Sequence, residues 1–125
     1  MKHTIEQLQE MPDSQLNKLA CEIMGKCWHV NLPLLSHHPE YQNGYRTYCR
    51  KCDRMDVDGE NLSYTTDPKD TFKLIEFAES NGEDIFIDGC NKFLRFDSTN
   101  DVKFERISDL PKSITIAFIL AFEKE

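Results

Sequence analysis

Three cysteines and one histidine have the residue types and the spacing of a zinc site. Cys49 and Cys52 form a Cys-x-x-Cys motif, which lets two sulfur atoms converge on one ion. Cys27 and His29 stand earlier in the chain, on either side of Trp28. Three thiolates and one imidazole complete a closed tetrahedral shell, so the sequence predicts a structural Zn²⁺ bound by Cys27, His29, Cys49 and Cys52. Such a shell leaves no open position for metal catalysis.

Other interpretations of these residues stay open. A redox Cys-x-x-Cys pair usually opens a helix in a βαβ unit, a pattern that this sequence lacks, and buried thiols without a metal are the second alternative. Within the zinc hypothesis, His37 or His38 can replace His29 as the nitrogen ligand. Cys21 lies on an apolar helical stripe and is predicted in the core, whereas Cys90 is predicted in a turn.

Basic residues are concentrated around the proposed zinc ligands. Residues 26–54 contain five basic and two acidic residues, although the whole chain has 15 basic and 22 acidic residues. These cations offset the negative charge of three thiolates on one Zn²⁺. Aromatic and basic residues also alternate over 41–54, as they do in surfaces that stack bases and contact phosphates. Nucleic-acid binding is therefore a second hypothesis, with these residues as the candidates: Tyr45, Arg46, Tyr48, Arg50, Lys51 and Arg54.

Length and composition narrow the class of protein. A chain of 125 residues with 39% hydrophobic and 30% charged residues predicts one globular domain over 1–125. The net charge of −7 weighs against binding of duplex DNA by the whole surface. The first residues lack the apolar stretch of a signal peptide, and the longest apolar run, 116–122, falls short of the roughly 20 residues that cross a bilayer. We therefore expect a cytoplasmic protein without membrane contact, whose cysteines are thiols or metal ligands.

Helical patterns flank an irregular segment. Apolar residues at helical spacing over 16–24 predict a helix that Asp13 caps and Gly25 ends. Prolines and Asx-Gly pairs interrupt residues 26–60, so we predict an irregular insert that zinc clamps to the core. A second helix is predicted to begin at Asp67-Pro68 and to end at Asn81-Gly82, with Leu74, Ile75 and Ala78 as its buried stripe.

The remainder of the sequence predicts an α+β fold. Short alternating segments at 84–88, 93–96 and 102–105, separated by turns, predict a three-stranded antiparallel meander covered by helices. Residues 113–122 are compatible with a helix or with a buried strand. We favour a helix, because Asp109-Leu110-Pro111 is typical of a helix start. Since this helix is apolar nearly all round, it is predicted to be a central core helix, and its second apolar face is compatible with a monomer or a homodimer.

Several short motifs follow one another in a defined order along the chain. Met24-Gly25 closes the first predicted helix, Cys27-Trp28-His29 and the Cys-x-x-Cys pair follow, and Tyr64-Thr65-Thr66-Asp67 leads into the next helix. This order resembles that of small tailed-phage proteins with the phage ABA sandwich domain. The resemblance implies a phage or prophage origin and a similar fold. It implies no reaction.

The sequence predicts a small non-enzymatic zinc-binding phage accessory protein that binds a host protein. An acidic surface can compete for the nucleic-acid site of a host nuclease or defence complex, and inhibition of such a target is the role we expect. Nucleic-acid binding by residues 41–54 is the alternative. Asp84 and Asp88 fall on one face of a predicted strand, as paired carboxylates for acid–base catalysis would. No nucleophile triad, phosphate loop or open metal triad accompanies them, so catalysis is not predicted.

Overall fold

The computed structural model of the chain describes residues 3–26, 28, 31–33, 47–49 and 62–123. The helices are α1 (Ile5–Glu10), α2 (Asp13–Ile23), α3 (Pro68–Ser80) and α4 (Leu110–Phe122), and a 3₁₀ turn covers Ile107–Asp109. The strands are β1 (Asn31–Pro33), β2 (Thr47–Cys49), β3 (Ile85–Asp88), β4 (Phe93–Phe96) and β5 (Val102–Lys103). The predicted α+β class is confirmed.

Helix α2 differs from the prediction at its start. Asp13 is the first residue of α2 and not its cap, because the carbonyl of Pro12 accepts from the backbone N–H groups of Gln15 and Leu16 and thereby takes the cap position. The end of α2 is as predicted. Gly25 adopts a φ of 77°, in the left-handed region that favours glycine, and reverses the chain after the last turn.

Helix α3 begins and ends where the sequence predicts. The Asp67 side chain accepts a hydrogen bond from the backbone N–H of Lys69 at 3.0 Å, and Pro68 occupies the first helical position. After Asn81, Gly82 ends the helix with a φ of 82°. The side-chain cap is a start signal and the glycine a stop signal, and both are local and recognisable in the sequence.

The predicted meander is confirmed as an open antiparallel sheet in the order β3-β4-β5. Ile87 of β3 pairs with Leu94 of β4, which in turn pairs with Val102 of β5. Leu94, Phe96 and Val102 are fully buried on the inner face. The outer strands are shorter than predicted. β3 lacks one residue because it begins at Ile85, and β5 lacks two because it ends at Lys103.

Helix α4 is the centre of the described structure. It contacts α1, α2, α3, β4 and β5, and residues 113–119 are all buried. The favoured helical interpretation of 113–122 is therefore confirmed, as is its place in the core. An apolar helix can be buried all round only when other elements surround it, as they do here. Among the described residues, no helix combines the length and the apolar character that crossing a membrane requires.

The Tyr64-Thr65 backbone ties three helices together. The Tyr64 carbonyl accepts from the hydroxyls of Thr71 in α3, at 2.6 Å, and Thr115 in α4, at 3.0 Å. The backbone N–H of Thr65 donates to the side-chain oxygen of Asn17 in α2, at 3.1 Å. Burial raises the pKa of the Tyr64 phenol to about 12, so this side chain stays neutral in the core.

Replacement of Asn17 tests the importance of this connection. Asn17→Ala leaves the buried Thr65 N–H without its acceptor, so we expect the free energy of unfolding to fall by about 1–3 kcal/mol in urea denaturation. Gln15→Ala, an exposed change two residues away in the same helix, is the matched control and should shift it by less than about 0.5 kcal/mol. Equal effects of the two substitutions would contradict a structural role for the Asn17 side chain.

Candidate zinc loop and apolar groove

A two-stranded hairpin lies in the segment that carries the predicted zinc ligands. β1 and β2 pair antiparallel, with Asn31 opposite Cys49 and Pro33 opposite Thr47. The expectation that 26–60 lacks regular secondary structure is thus wrong for these two stretches. Strands of three residues are too short to produce a readable alternation, and the pairing partners are well separated in sequence.

The structure places one of the four predicted ligands. Cys49 is the last residue of β2. Cys27, His29 and Cys52 lie outside the described residues, as do the alternative ligands His37 and His38. The zinc site therefore stays a prediction.

The chain that leads to the zinc segment is attached to the core. Cys21 is 5% exposed, as predicted, and the backbone N–H of Lys26 donates to its carbonyl at 3.1 Å. Trp28 packs against the hydrophobic core. The two neighbours of Cys27 in sequence are thus bound to the core, one by a hydrogen bond and one by apolar packing.

One of the six candidate residues for nucleic-acid binding lies in a described part of the chain. Tyr48 lies in β2, opposite Leu32. The other five candidates, Tyr45, Arg46, Arg50, Lys51 and Arg54, lie outside the described residues. Binding through 41–54 stays a prediction.

The paired carboxylates considered for catalysis are placed by the sheet. Asp84 precedes β3 and was predicted within it, whereas Asp88 is its last residue. The Asp88 carboxylate accepts from the backbone N–H groups of Cys90 and Asn91 and from the Asn91 side chain, at 2.9–3.0 Å. These hydrogen bonds lower the pKa of Asp88, so it stays ionised and shapes the turn between β3 and β4. Within the described part of the chain, no group of three or more His, Cys, Asp or Glu side chains could hold a metal ion.

An apolar groove lies between α3, the end of β3 and the start of α4. It has a volume of about 290 Å³. Three large apolar side chains on its wall are strongly exposed: Phe72 at 60%, Ile87 at 43% and Ile107 at 67%. The remaining lining is also mostly apolar and consists of Pro68, Thr71, Ile75, Leu110, Pro111 and Ile114.

The groove follows from the positions of these residues in the secondary structure. Pro68, Phe72 and Ile75 recur at helical spacing, so they form one stripe along α3. Ile107 belongs to the 3₁₀ turn that carries the chain from the sheet into α4. Clustered exposed apolar side chains are uncommon on monomeric proteins and are typical of binding surfaces.

The apolar pattern of the sequence does not predict this groove. The predicted stripe of α3 contained Leu74, Ile75 and Ala78, and Leu74 and Ala78 are indeed fully buried. A signal was present, because Phe72 is a large apolar residue off that buried stripe. Its neighbours Ile87 and Ile107 are far away in sequence, and only the fold brings them together.

No protein-family model, curated protein or solved structure matches this chain. The resemblance of its motifs to those of small tailed-phage proteins remains a prediction.

Proposed function

We propose that this chain is a small non-enzymatic zinc-binding protein that acts by binding another protein. The apolar groove around Phe72 is the observation that carries the binding role, because it offers a preformed recess for an apolar side chain of a partner. The motif resemblance to tailed-phage proteins favours a host protein in the host cytoplasm as that partner. A net charge of −7 suits competition for the nucleic-acid site of a host nuclease or defence complex.

The register of the hairpin supports the zinc part of the proposal. Asn31 and Cys49 are opposite one another, so their Cα atoms lie about 4.5–5.5 Å apart. The chain enters β1 and leaves β2 at this same end of the hairpin. His29 is two residues before Asn31 and Cys52 is three after Cys49, which covalent geometry limits to about 7 and 11 Å, respectively. These limits allow His29, Cys49 and Cys52 to meet at one ion, and Cys27 is two residues before His29.

A closed zinc site also has a physical purpose in this chain. A short hairpin is only marginally stable by itself, because a two-stranded ladder buries little apolar area. A structural zinc contributes its binding free energy to folding and joins the two ends of the segment. The role proposed for zinc is thus structural, and the groove carries the recognition.

Native mass spectrometry of protein purified without a metal-binding tag tests the zinc proposal. We expect one zinc per chain, lost on chelation together with protection of segment 26–60 from protease. Cys49→Ser and Cys52→Ser should each lose the metal, because removal of a thiolate opens the shell. Cys90→Ser is the matched control, since Cys90 is exposed in the turn after β3, and it should retain zinc. Metal-free protein with unchanged protease resistance would contradict the proposal.

Charge placed in the groove tests the binding role. Phe72→Glu puts a carboxylate on the apolar wall, so it should weaken capture of the partner from host cells at least about tenfold. Phe86→Glu is the matched control, because Phe86 is a similarly exposed phenylalanine on the outer face of the sheet, away from the groove. A captured host protein supports the proposal if it binds to the wild type and to Phe86→Glu but not to Phe72→Glu. If Phe72→Glu retains every captured protein, the groove is not the interface.

A further inference from the structure

The outer face of the three-stranded sheet carries aromatic rings and cations side by side. Leu94 and Phe96 point into the core, so Phe93 and Arg95 project from the opposite face of β4. On that face Phe86 of β3 is opposite Arg95, and Lys103 of β5 is opposite Phe93. Two phenyl rings and two cations thus alternate across three adjacent strands.

The side chain of Arg95 in β4 lies close to both phenyl rings. The Phe86 and Phe93 centroids are 5.9 Å apart, with ring planes inclined by 37°. The guanidinium of Arg95 lies 5.0 Å from the Phe86 centroid and 6.0 Å from that of Phe93, within the range of cation–π attraction. Asp101 holds this guanidinium through a 3.0 Å ion pair. The arrangement is ordered, yet Phe86 remains 48% exposed.

A cleft with further cations adjoins this face. It has a volume of about 630 Å³, and Lys92, Lys103 and Lys112 line it. Lys103 belongs to both surfaces, because it is the cross-strand neighbour of Phe93. Four of the seven basic residues between 62 and 123 therefore border one continuous area of an otherwise acidic chain.

Acidic groups also face this area, and most of them have partners within the chain. Asp88 accepts the three hydrogen bonds of its turn, and Asp101 pairs with Arg95. In the cleft, the Asp109 carboxylate accepts from the backbone N–H of Arg106, and Glu105 is the fourth acid. Lys112 also has a partner within the chain, because its amine lies 3.7 Å from the Asp13 carboxylate.

We propose that the outer sheet face and its lysine cleft bind single-stranded nucleic acid. Bases would stack on Phe86 and Phe93, and phosphates would lie against Lys92 and Lys103, which are the two kinds of contact that such ligands need. A sheet face of this size accommodates about two or three nucleotides. Duplex DNA is a poor ligand, because its bases are already stacked and the chain carries a net charge of −7.

Fluorescence anisotropy with a labelled oligothymidine and with the matching duplex tests the inference. We expect binding of the single strand, weaker binding of the duplex, and a loss of about tenfold with Phe86→Ala, from the removal of one stacking ring. Lys103→Ala should lower the slope of log K against log salt by about 0.7. Phe72→Ala is the matched control, since it removes an exposed phenyl from the groove, and it should bind like the wild type.

Several results would overturn the inference. They are no binding of the oligothymidine at low salt, equal affinity for the duplex, or an unchanged affinity in Phe86→Ala that melts like the wild type. Loss of binding in Arg50→Ala with no loss in Phe86→Ala would also overturn it, because the ligand would then lie on segment 41–54. None of these results bears on zinc content or on capture through the groove, so the proposed function can fail or stand independently.

Discussion

The backbone at Tyr64 and Thr65 is buried where α2, α3 and α4 meet. A buried carbonyl or N–H without a partner costs about 1–3 kcal/mol, so the chain can pass through this point only if side chains satisfy its polar groups. Thr71 and Thr115 both donate to the Tyr64 carbonyl, and Asn17 accepts from Thr65. Each partner comes from a different helix. The Thr115 hydroxyl also lies 2.8 Å from the carbonyl of Pro111 in its own helix, so its one proton is shared between two acceptors.

The central place of α4 explains where the apolar groove and the exposed sheet face lie. The helix covers the inner face of the sheet and leaves the outer face of β3-β4-β5 open to solvent at Phe86 and Arg95. At its N-terminal end, α4 meets α3 and the edge strand β3 without closing the space between them, and the groove around Phe72 remains. Phe86 and the groove residue Ile87 therefore lie on opposite faces of β3. The groove and the lysine cleft, by contrast, are both lined by residues in the first turns of α4.

Local signals in the sequence were sufficient for most of the regular elements. Asp67-Pro68 and Gly82 mark both ends of α3 by cap and glycine chemistry, and alternation of apolar residues marks the three strands. The start of α2 was misplaced by one residue, because Pro12 competes with Asp13 for the cap position. The β1–β2 hairpin was missed for a different reason. Its strands are three residues long, and a pairing between residues far apart in sequence leaves no local periodicity.

Of the candidate sites, one could be predicted from the sequence and two depend on the tertiary structure. The proposed zinc ligands are predicted from residue type and spacing alone, and the hairpin register adds only that Cys49 is opposite Asn31. The groove and the aromatic face depend on tertiary structure. Phe72, Ile87 and Ile107 come from three separate elements, and the pairing of Phe93 with Lys103 requires the strand register. Neither surface can therefore be recognised from a short stretch of the sequence.

Zinc K-edge X-ray absorption of the purified protein tests most directly whether a closed zinc site organises the segment after α2. We expect a four-coordinate shell of three sulfur atoms at about 2.3 Å and one nitrogen at about 2.0–2.1 Å. Replacement of His29 should remove the nitrogen contribution and leave the three sulfur atoms. A shell of oxygen and nitrogen alone, or one with an exchangeable water in place of a thiolate, would contradict a closed site of three thiolates and one imidazole.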